Sequence, residues 1–409
     1  MDGSLPSFLS APDLLELIGI ALCGALIGWG TNWGAVQLTF WPVRFTGLTR
    51  WFGWQGVVPA NAEKIAGVVV DRTLHRLGDL SDVFRRMEPE HITRQIIEKI
   101  SPRIEEIIDE VMDERQPVLW NNLPRRAQER VYSWARQQLP RRVEALMADF
   151  ADEISELIDL KALVIAEIQR DRRLMNRMFL ESGAAEFRFI VRSGFWFGLV
   201  LGFIPGLLWL TYENPWALVL GGLLVGMLTN WLALNILFRP VEQRLVLGVR
   251  LQGLFLQRQQ QVAETWSRLV AAELLTVEKV ANTMVNGPHA HRTRAIILRH
   301  MRPAMERAGV FRILTQFTMG ADGYVALKDA LNEKAIQLST EPFRDPDFNQ
   351  DRAGVVAELI YERMAALPPK DFQDVLRPAF QEEEWQLILI GGMVGAFAGL
   401  LQYLALLLV

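Results

Sequence analysis

The residues of this chain that could do chemistry within a membrane are two copies of the triplet Thr-Asn-Trp, each inside a long apolar segment. A polar side chain that faces hydrocarbon without a hydrogen-bonding partner is costly. We therefore expect these side chains to face the interior of a helix bundle or a water-filled cavity. The candidates for a polar contact between helices or for ligand binding are Thr31, Asn32, Trp33, Gln37, Thr229, Asn230, Trp231 and Asn235.

Two interpretations of the triplets stay open at the level of sequence. In the structural interpretation, Asn32 and Asn230 join the two halves of the protein by hydrogen bonds worth about 0.6–2 kcal/mol each. In the functional interpretation, the amides bind a ligand or line a path for a solute. Because the triplets occur at the same depth, we expect the two asparagines to bond to each other or to one ligand. Leucine substitutions at both positions would then be non-additive.

The remaining patterns of polar residues do not predict catalysis or metal binding. Residues 345–351 alternate oxygen-bearing side chains as a calcium loop does, but Gln350 and Val356 stand where glycine and glutamate are required. His289 and His291 lack the glutamate of a zinc-binding H-E-x-x-H pattern. The sequence also contains no P-loop and no G-x-S-x-G motif. We therefore predict no catalytic residues, no metal site and no cofactor, and a protein that is not an enzyme.

Each triplet lies in an apolar segment that occurs twice. Residues 24–43 and 222–241 share the pattern G-x-L-x-G-x-x-T-N-W-x-A-x-x-x-x-F-x-P-V. Each copy is long enough to cross a bilayer as a helix, and each half of the chain closes with a second glycine-rich apolar segment. A repeat of this kind indicates that one structural unit has been duplicated.

The chain alternates between apolar and charged stretches, with 50% hydrophobic and 22% charged residues overall. We predict an all-α membrane protein with four transmembrane helices in two parallel repeats, each enclosing a helical cytoplasmic domain. Short β hairpins at the membrane surface are expected at 44–54 and 244–251. Pro124 and Pro140 predict helix starts, because proline fits the first helical position. The predicted transmembrane helices are 14–41, 194–212, 215–238 and 385–409, and the predicted soluble domains are 42–193 and 239–384.

Glycines four residues apart occur in each predicted transmembrane helix. Lipid gives no hydrophobic drive for helix association, so close backbone approach at small residues supplies the contacts. We predict that these glycines form helix–helix contacts, and the alternative is a glycine-lined conduit. The residues are Gly24, Gly28, Gly194, Gly198, Gly202, Gly206, Gly222, Gly226, Gly391, Gly395 and Gly399.

Basic residues flank the predicted helices on one side only. Residues 1–13, 211–215 and the chain end contain no Lys or Arg. Because positive charge near helix ends marks the cytoplasmic side, we expect both soluble domains in the cytoplasm and a parallel repeat. The flanking residues are Arg44, Arg50, Arg177, Arg188, Arg192, Arg239, Arg244, Arg250, Lys370 and Arg377. The single cysteine, Cys23, lies in the first helix and predicts no disulfide.

Together these residues resemble a known family. The Thr-Asn-Trp segments, Glu186–Gly194 and Arg377–Trp385 are similar to the bacterial membrane proteins catalogued as domain of unknown function 445, over nearly the whole chain. The resemblance implies a multi-pass protein of the bacterial cytoplasmic (inner) membrane. It leaves the activity open, because the family has no assigned chemistry. The chain departs from the family's G-x-x-P-x-x-R turn, since Ala60 follows Pro59 and Gln257-Arg258 follows Leu256.

We therefore expect a non-enzymatic integral membrane protein that organises or binds envelope partners or lipid through paired helical domains. The alternative is a transporter or lipid-transfer protein that uses the polar contact between the repeats. Expected partners are membrane lipid and, as a second class, envelope proteins. A homo-oligomer is compatible with the sequence, and the net charge of −4 does not indicate nucleic-acid binding. A continuous lipid-sized groove from the bundle into the soluble domains would favour transport, and a dry contact with exposed apolar patches would favour scaffolding.

Overall fold

The chain forms two compact units. The computed structural model describes residues 11–49, 52–77, 80–212, 214–246, 249–307, 325–327, 329–377 and 384–406. The apolar-helix unit consists of Met1–Thr73, Ile168–Trp266 and Arg363–Val409, and the polar-helix unit of Leu74–Glu167 and Ser267–Glu362. Each unit takes segments from both halves of the sequence. The soluble domains 42–193 and 239–384 stay predictions.

The described residues are mostly helical. The first half contains α1 (Ala11–Phe40), β1 (Thr46–Thr49), β2 (Phe52–Trp54), α2 (Val57–Ala60), α3 (Ala62–Leu77), α4 (Leu80–Arg86), α5 (Pro89–Ile100), α6 (Ile104–Arg115), α7 (Pro117–Asn122), α8 (Arg125–Leu157), α9 (Leu160–Arg170), α10 (Arg173–Ser182) and α11 (Ala184–Tyr212). The second half contains α12 (Pro215–Phe238), β3 (Arg244–Val246), β4 (Val249–Leu251), α13 (Leu254–Gln257), α14 (Gln259–Glu273), α15 (Val277–Asn286), α16 (Ala290–Arg307), α17 (Pro346–Ala365), α18 (Pro369–Leu376) and α19 (Glu384–Leu406). Residues 325–327 and 329–338 are also helical.

Four helices within the described residues are long and apolar enough to cross a membrane: α1, α11, α12 and α19. In the apolar-helix unit, α1 packs along α11 and α12 packs along α19. The helix α11 begins at Ala184, earlier than the predicted residue 194, because Glu186 is buried and paired in its first turns. Some predicted features fall outside the described residues. They are residue 213 in the predicted helix connection, residues 378–383 in a segment of the family resemblance, and residues 407–409 at the end of the last predicted helix.

The helices α1 and α12 end in the same local structure. Each is followed by a cis peptide bond, Trp41–Pro42 or Arg239–Pro240, and then by an antiparallel hairpin, β1–β2 or β3–β4. The N–H groups of Gly56 and Gly253 donate to the carbonyl oxygens of the two prolines at 2.9 Å. Glycine is needed at both positions, because a Cβ would lie 2.7 Å from the carbonyl carbon of the helix's last residue. The two expected hairpins are therefore present.

The polar-helix unit is organised around α8, a helix of 33 residues. The helices α4, α5, α6 and α16 pack against it. Pro140 lies inside α8 and not at a helix start as predicted, whereas Pro124 is the N-cap. An internal proline costs about 3 kcal/mol, and the buried residues Val143 and Met147 hold the next turn against its neighbours. Packing therefore overrides the local signal for a break.

Candidate functional site

The first pair of apolar helices is in backbone contact along its glycines. A Cβ built on Gly24 would lie 2.7 Å from the carbonyl oxygen of Gly198 and 2.8 Å from the Cα of Gly202. One turn further, a Cβ on Gly28 would lie closer than 3.0 Å to the carbonyl oxygen of Gly194. No side chain fits between the helices at these positions, so their association depends on direct backbone packing.

The second pair of apolar helices has the same arrangement. A Cβ on Gly222 would lie closer than 3.0 Å to the carbonyl oxygen of Gly395. A Cβ on Gly226 would likewise lie closer than 3.0 Å to the carbonyl oxygen of Gly391. The glycines therefore lie at helix–helix contacts and do not surround a conduit. Two of the predicted contact glycines face residues other than glycine. A Cβ on Gly206 would meet the side chain of Leu17, and a Cβ on Gly399 would meet the carbonyl oxygen of Leu218.

Asn32 and Asn230 are buried, with 0% and 3% of their surface exposed. The Nδ2 of Asn32 donates to the carbonyl oxygen of Ile190 in α11 at 2.7 Å. The Nδ2 of Asn230 donates to the carbonyl oxygen of Leu387 in α19 at 2.8 Å. Each amide therefore bonds to the partner helix of its own pair, and the expected bond between the two triplets does not form.

The other members of the triplets separate onto different faces. Thr31 and Thr229 are buried, and each hydroxyl donates to the carbonyl oxygen three residues earlier at 3.2 Å. Trp33 and Trp231 lie on the outside, with 51% and 49% of their surface exposed. An exposed tryptophan on an apolar helix suits the membrane interface. The asparagine amides thus bond between helices, the buried threonine hydroxyls bond within their own helices, and the tryptophans face the surroundings.

The two remaining polar candidates, Gln37 and Asn235, do not join the asparagines in a common ligand site. Asn235 donates to the carbonyl oxygen of Trp231 in its own helix at 2.9 Å, and Gln37 is half-buried. Within the described residues, the Oδ1 of Asn32 is buried without a hydrogen-bonding partner. The structure therefore brings together the threonines, asparagines and glycines of each helix pair, and it does not assemble the eight polar candidates into one ligand site.

Replacing Asn32 or Asn230 with leucine is expected to destabilise the bundle by about 0.6–2 kcal/mol each, because each change removes one hydrogen bond between helices. The two bonds belong to different helix pairs, so the double variant should lose the sum of the two values within about 0.3–0.5 kcal/mol. Unfolding of the purified protein in one detergent measures these losses. If the loss in the double variant departs from the sum by more than about 1 kcal/mol, Asn32 and Asn230 are energetically coupled and belong to one site.

The polar-helix unit contains a groove with a volume of about 660 Å³. Its walls come from α5, α6, α8, α15 and α16 and from helical residues 329–338. Most of its lining is aliphatic, and Ile96, Ile107, Leu139 and Leu146 in these walls are only half-buried. Close-packed protein interiors have few voids of this size. The aliphatic side chains therefore line an open space as well as supporting the fold.

Four side chains on one side of α8 give the groove a partly polar wall. Arg130, Trp134, Gln138 and Arg142 follow each other at a spacing of four residues, which places them in successive turns. Arg130 is exposed and the other three are half-buried. Among the described residues, neither arginine has an ion-pair or hydrogen-bonding partner. The wall therefore carries uncompensated positive charge.

Three further polar side chains line the groove: Thr293, Lys334 and Ser339, whose hydroxyl donates to the carbonyl oxygen of Ile336. Thr293 is 1% exposed, and its hydroxyl has no hydrogen-bonding partner within the described part of the chain. The ammonium of Lys334 lies 2.5 Å from a carboxylate oxygen of Glu110. Lys334 is thus neutralised by its neighbour, which distinguishes it from the two arginines of α8.

A small aromatic cluster borders the groove where α6, α7 and α8 meet. The indole N–H of Trp120 donates to Oδ1 of Asp109 at 2.8 Å, and the hydroxyl of Tyr132 donates to the same oxygen. Burial, with the hydrogen bond to Asp109, raises the pKa of Tyr132 well above its ordinary value. The phenol therefore stays neutral and holds α8 against α6.

The groove was not predicted from the sequence. The isoleucines of α5 and α6 recur at spacings of three and four residues, which indicates an amphipathic helix with one apolar face. Such a pattern does not distinguish a face that packs from a face that lines a cavity. The available signal was Arg142, a charged residue flanked by Leu139 and Leu146 on the apolar side of α8.

In the described ranges, no group of three or more His, Cys, Asp or Glu side chains is placed to hold a metal ion. Comparison of the chain with models of protein families, with curated proteins and with solved structures finds no match.

Proposed function

We propose that this chain is a non-enzymatic integral protein of the bacterial cytoplasmic membrane that binds acyl chains of lipid in the groove of its polar-helix unit. The observation that carries the proposal is the aliphatic groove of about 660 Å³. The proposal includes two parallel repeats, soluble segments in the cytoplasm and membership of the family that the sequence resembles. Basic side chains support this orientation, because Arg44, Arg239 and Arg244 are exposed just after α1 and α12.

The dimensions of the groove fit an acyl chain. Small-molecule sites in proteins measure about 300–1,000 Å³, and the groove falls within that range. The residues of α8 that line it extend from Ala127 to Phe150, which corresponds to roughly 35 Å of helix. A chain in one leaflet spans about half of a hydrocarbon core that is about 30 Å thick. The groove is therefore long enough for a whole chain.

The energetics favour reversible loading from a membrane. An apolar surface that faces water is unfavourable by about 25 cal/mol per Å², so an occupant that covers the aliphatic walls stabilises the unit. An acyl chain in a bilayer is already surrounded by hydrocarbon, and moving it into an apolar groove changes its environment little. Release into water instead would cost about 0.8 kcal/mol for each methylene. Exchange with a bilayer is thus preferred to exchange with water.

The alternative of transport through the polar contact between the repeats has less support. Asn32 and Asn230 bond within their own helix pairs, and close backbone contact occupies the space along the glycines. The groove offers an apolar site without requiring either feature. Lipid binding in the polar-helix unit is therefore the function that the geometry favours.

Replacing Ala135 with tryptophan is expected to block the groove, because Ala135 lines it and is half-buried on α8. The full chain in lipid nanodiscs is exposed to a long-chain alcohol that carries a photoreactive group, and the crosslinked peptides are identified by mass spectrometry. The parent should be labelled on α5, α6 and α8. If the added indole weakens binding of the alcohol by about 1–3 kcal/mol, the usual cost of overpacking, labelling in the variant should fall by about 5- to 150-fold.

The matched control is Ala148→Trp, which adds the same side chain at an exposed position of α8 outside the groove. Its labelling should equal that of the parent. Undiminished labelling of α5, α6 and α8 in Ala135→Trp would contradict the proposal. Labelling confined to the four apolar helices would contradict it as well.

A further inference from the structure

We infer that the groove binds a long-chain fatty acid as its anion, with Arg142 as the residue that binds the carboxylate. The inference rests on the proposed binding of acyl chains and adds the class of ligand and its charged contact. It is carried by a half-buried arginine whose guanidinium has no partner among the described residues, set in a wall that is otherwise largely aliphatic.

Arg142 lies within the groove-facing stripe of α8. Gln138 is one turn before it and Leu146 one turn after it, and all three line the groove. Leu139 and Val143 line the same wall. A ligand charge at Arg142 would therefore have aliphatic surface along the helix in both directions, which is the arrangement that a small acidic headgroup on a long apolar chain requires.

The electrostatics of Arg142 favour an anion. Partial burial removes water from a charged group, and the loss is unfavourable unless a partner replaces that water. A carboxylate does so well, because a guanidinium donates two parallel hydrogen bonds to its two oxygens. The amide of Gln138 has no bonded partner among the described side chains and can donate a further hydrogen bond. A neutral headgroup would gain less at this position.

The other cations of the groove are less suited to the headgroup. Lys334 is paired with Glu110 at 2.5 Å. Arg130 is exposed, and its separation from Arg142 along α8 is roughly 18 Å. One small headgroup cannot reach both arginines. Among the described residues that line the groove, Arg142 is therefore the cation that combines partial burial, a guanidinium without a bonded partner and aliphatic neighbours.

The size of the groove suits a ligand with a single chain. Its volume of about 660 Å³ lies within the range of about 300–1,000 Å³ that small-molecule sites have. Among the described lining residues, Arg142 is the half-buried cation without a bonded partner. One charged contact beside one aliphatic path favours an acid with one chain and one carboxylate.

Competition between an acid and an alcohol separates the charged contact from the apolar groove. The full chain in nanodiscs of zwitterionic lipid is labelled with the photoreactive alcohol, and hexadecanoate or hexadecanol is added as competitor. In the parent, hexadecanoate should displace the label at an about 10- to 100-fold lower concentration, because only the acid offers the guanidinium a charged acceptor with two oxygens. Arg142→Gln should abolish that difference and leave displacement by hexadecanol unchanged.

The control is Arg141→Gln, which removes the same charge from the adjacent, exposed position outside the groove and should retain the preference for the acid. If the alcohol neither labels the parent nor displaces the label, the proposed acyl-chain function itself fails. Equal displacement by both competitors in the parent, or a preference that survives in Arg142→Gln, would overturn the fatty-acid inference alone. Stronger displacement by a two-chain phosphatidate than by hexadecanoate would also overturn it.

Discussion

Alanine in place of Gly28 is expected to separate α1 from α11 and to destabilise the protein by about 3 kcal/mol or more, the upper end of what overpacking costs. The added Cβ would lie closer than 3.0 Å to the backbone carbonyl oxygen of Gly194, and a backbone atom cannot turn aside as a flexible side chain can. Gly226→Ala should have the same effect on α12 and α19, since its Cβ would meet the carbonyl oxygen of Gly391. Thermal unfolding in one detergent measures both losses.

The helix α1 supplies its own control for this prediction. A Cβ on Gly30 would have nothing within 4 Å, so Gly30→Ala should leave stability unchanged or raise it slightly through helix propensity. Gly202→Ala should lose an intermediate amount of stability, because its Cβ would meet backbone atoms at 3.1 Å. If Gly28→Ala unfolds at the temperature of Gly30→Ala, the helices are not in backbone contact at this position.

Methionine in place of Arg258 is expected to destabilise the apolar-helix unit by about 3–5 kcal/mol, because the change leaves a buried carboxylate without its counter-ion. The side chain of Glu186 is 2% exposed, and its Oε1 lies 2.9 Å from Nη1 of Arg258. The Oε2 of Glu186 has no hydrogen-bonding partner within the described residues. Arg258 is therefore the main compensation for this charge, and unfolding in one detergent measures the loss.

Two variants test whether the buried charge is the cause. In the double variant Glu186→Gln/Arg258→Met the carboxylate is absent. The double variant should therefore lose much less stability than the sum of the losses in the two single variants. Arg172→Met breaks a pair with Glu63 whose side chains are 47% and 50% exposed, and an exposed pair contributes only about 0–1 kcal/mol. Equal losses for Arg258→Met and Arg172→Met would show that burial of Glu186 does not decide the outcome.

The sequence alone determined the features that depend on neighbouring residues. Apolar runs of bilayer length predicted all four helices that are long and apolar enough to cross a membrane, because hydrophobic length is a local property. Glycines at a spacing of four predicted close backbone contact, since that spacing places them on one helix face. The prediction of a helix start at Pro140, which used proline's preference for the first helical position, was wrong, because Pro140 lies inside α8 and contacts with distant helices outweighed the local cost of proline.

The tertiary structure alone decided which face meets which partner. The Asn32 amide bonds to a carbonyl 158 residues away in its own helix pair, and Glu186 pairs with Arg258 from the other half of the chain. The polar-helix unit combines segments of both halves, and its aliphatic faces leave a groove beside Arg142. Periodicity shows that a face is apolar. Whether that face is filled by a neighbouring helix or stays open for a ligand depends on how helices from distant parts of the chain pack in three dimensions.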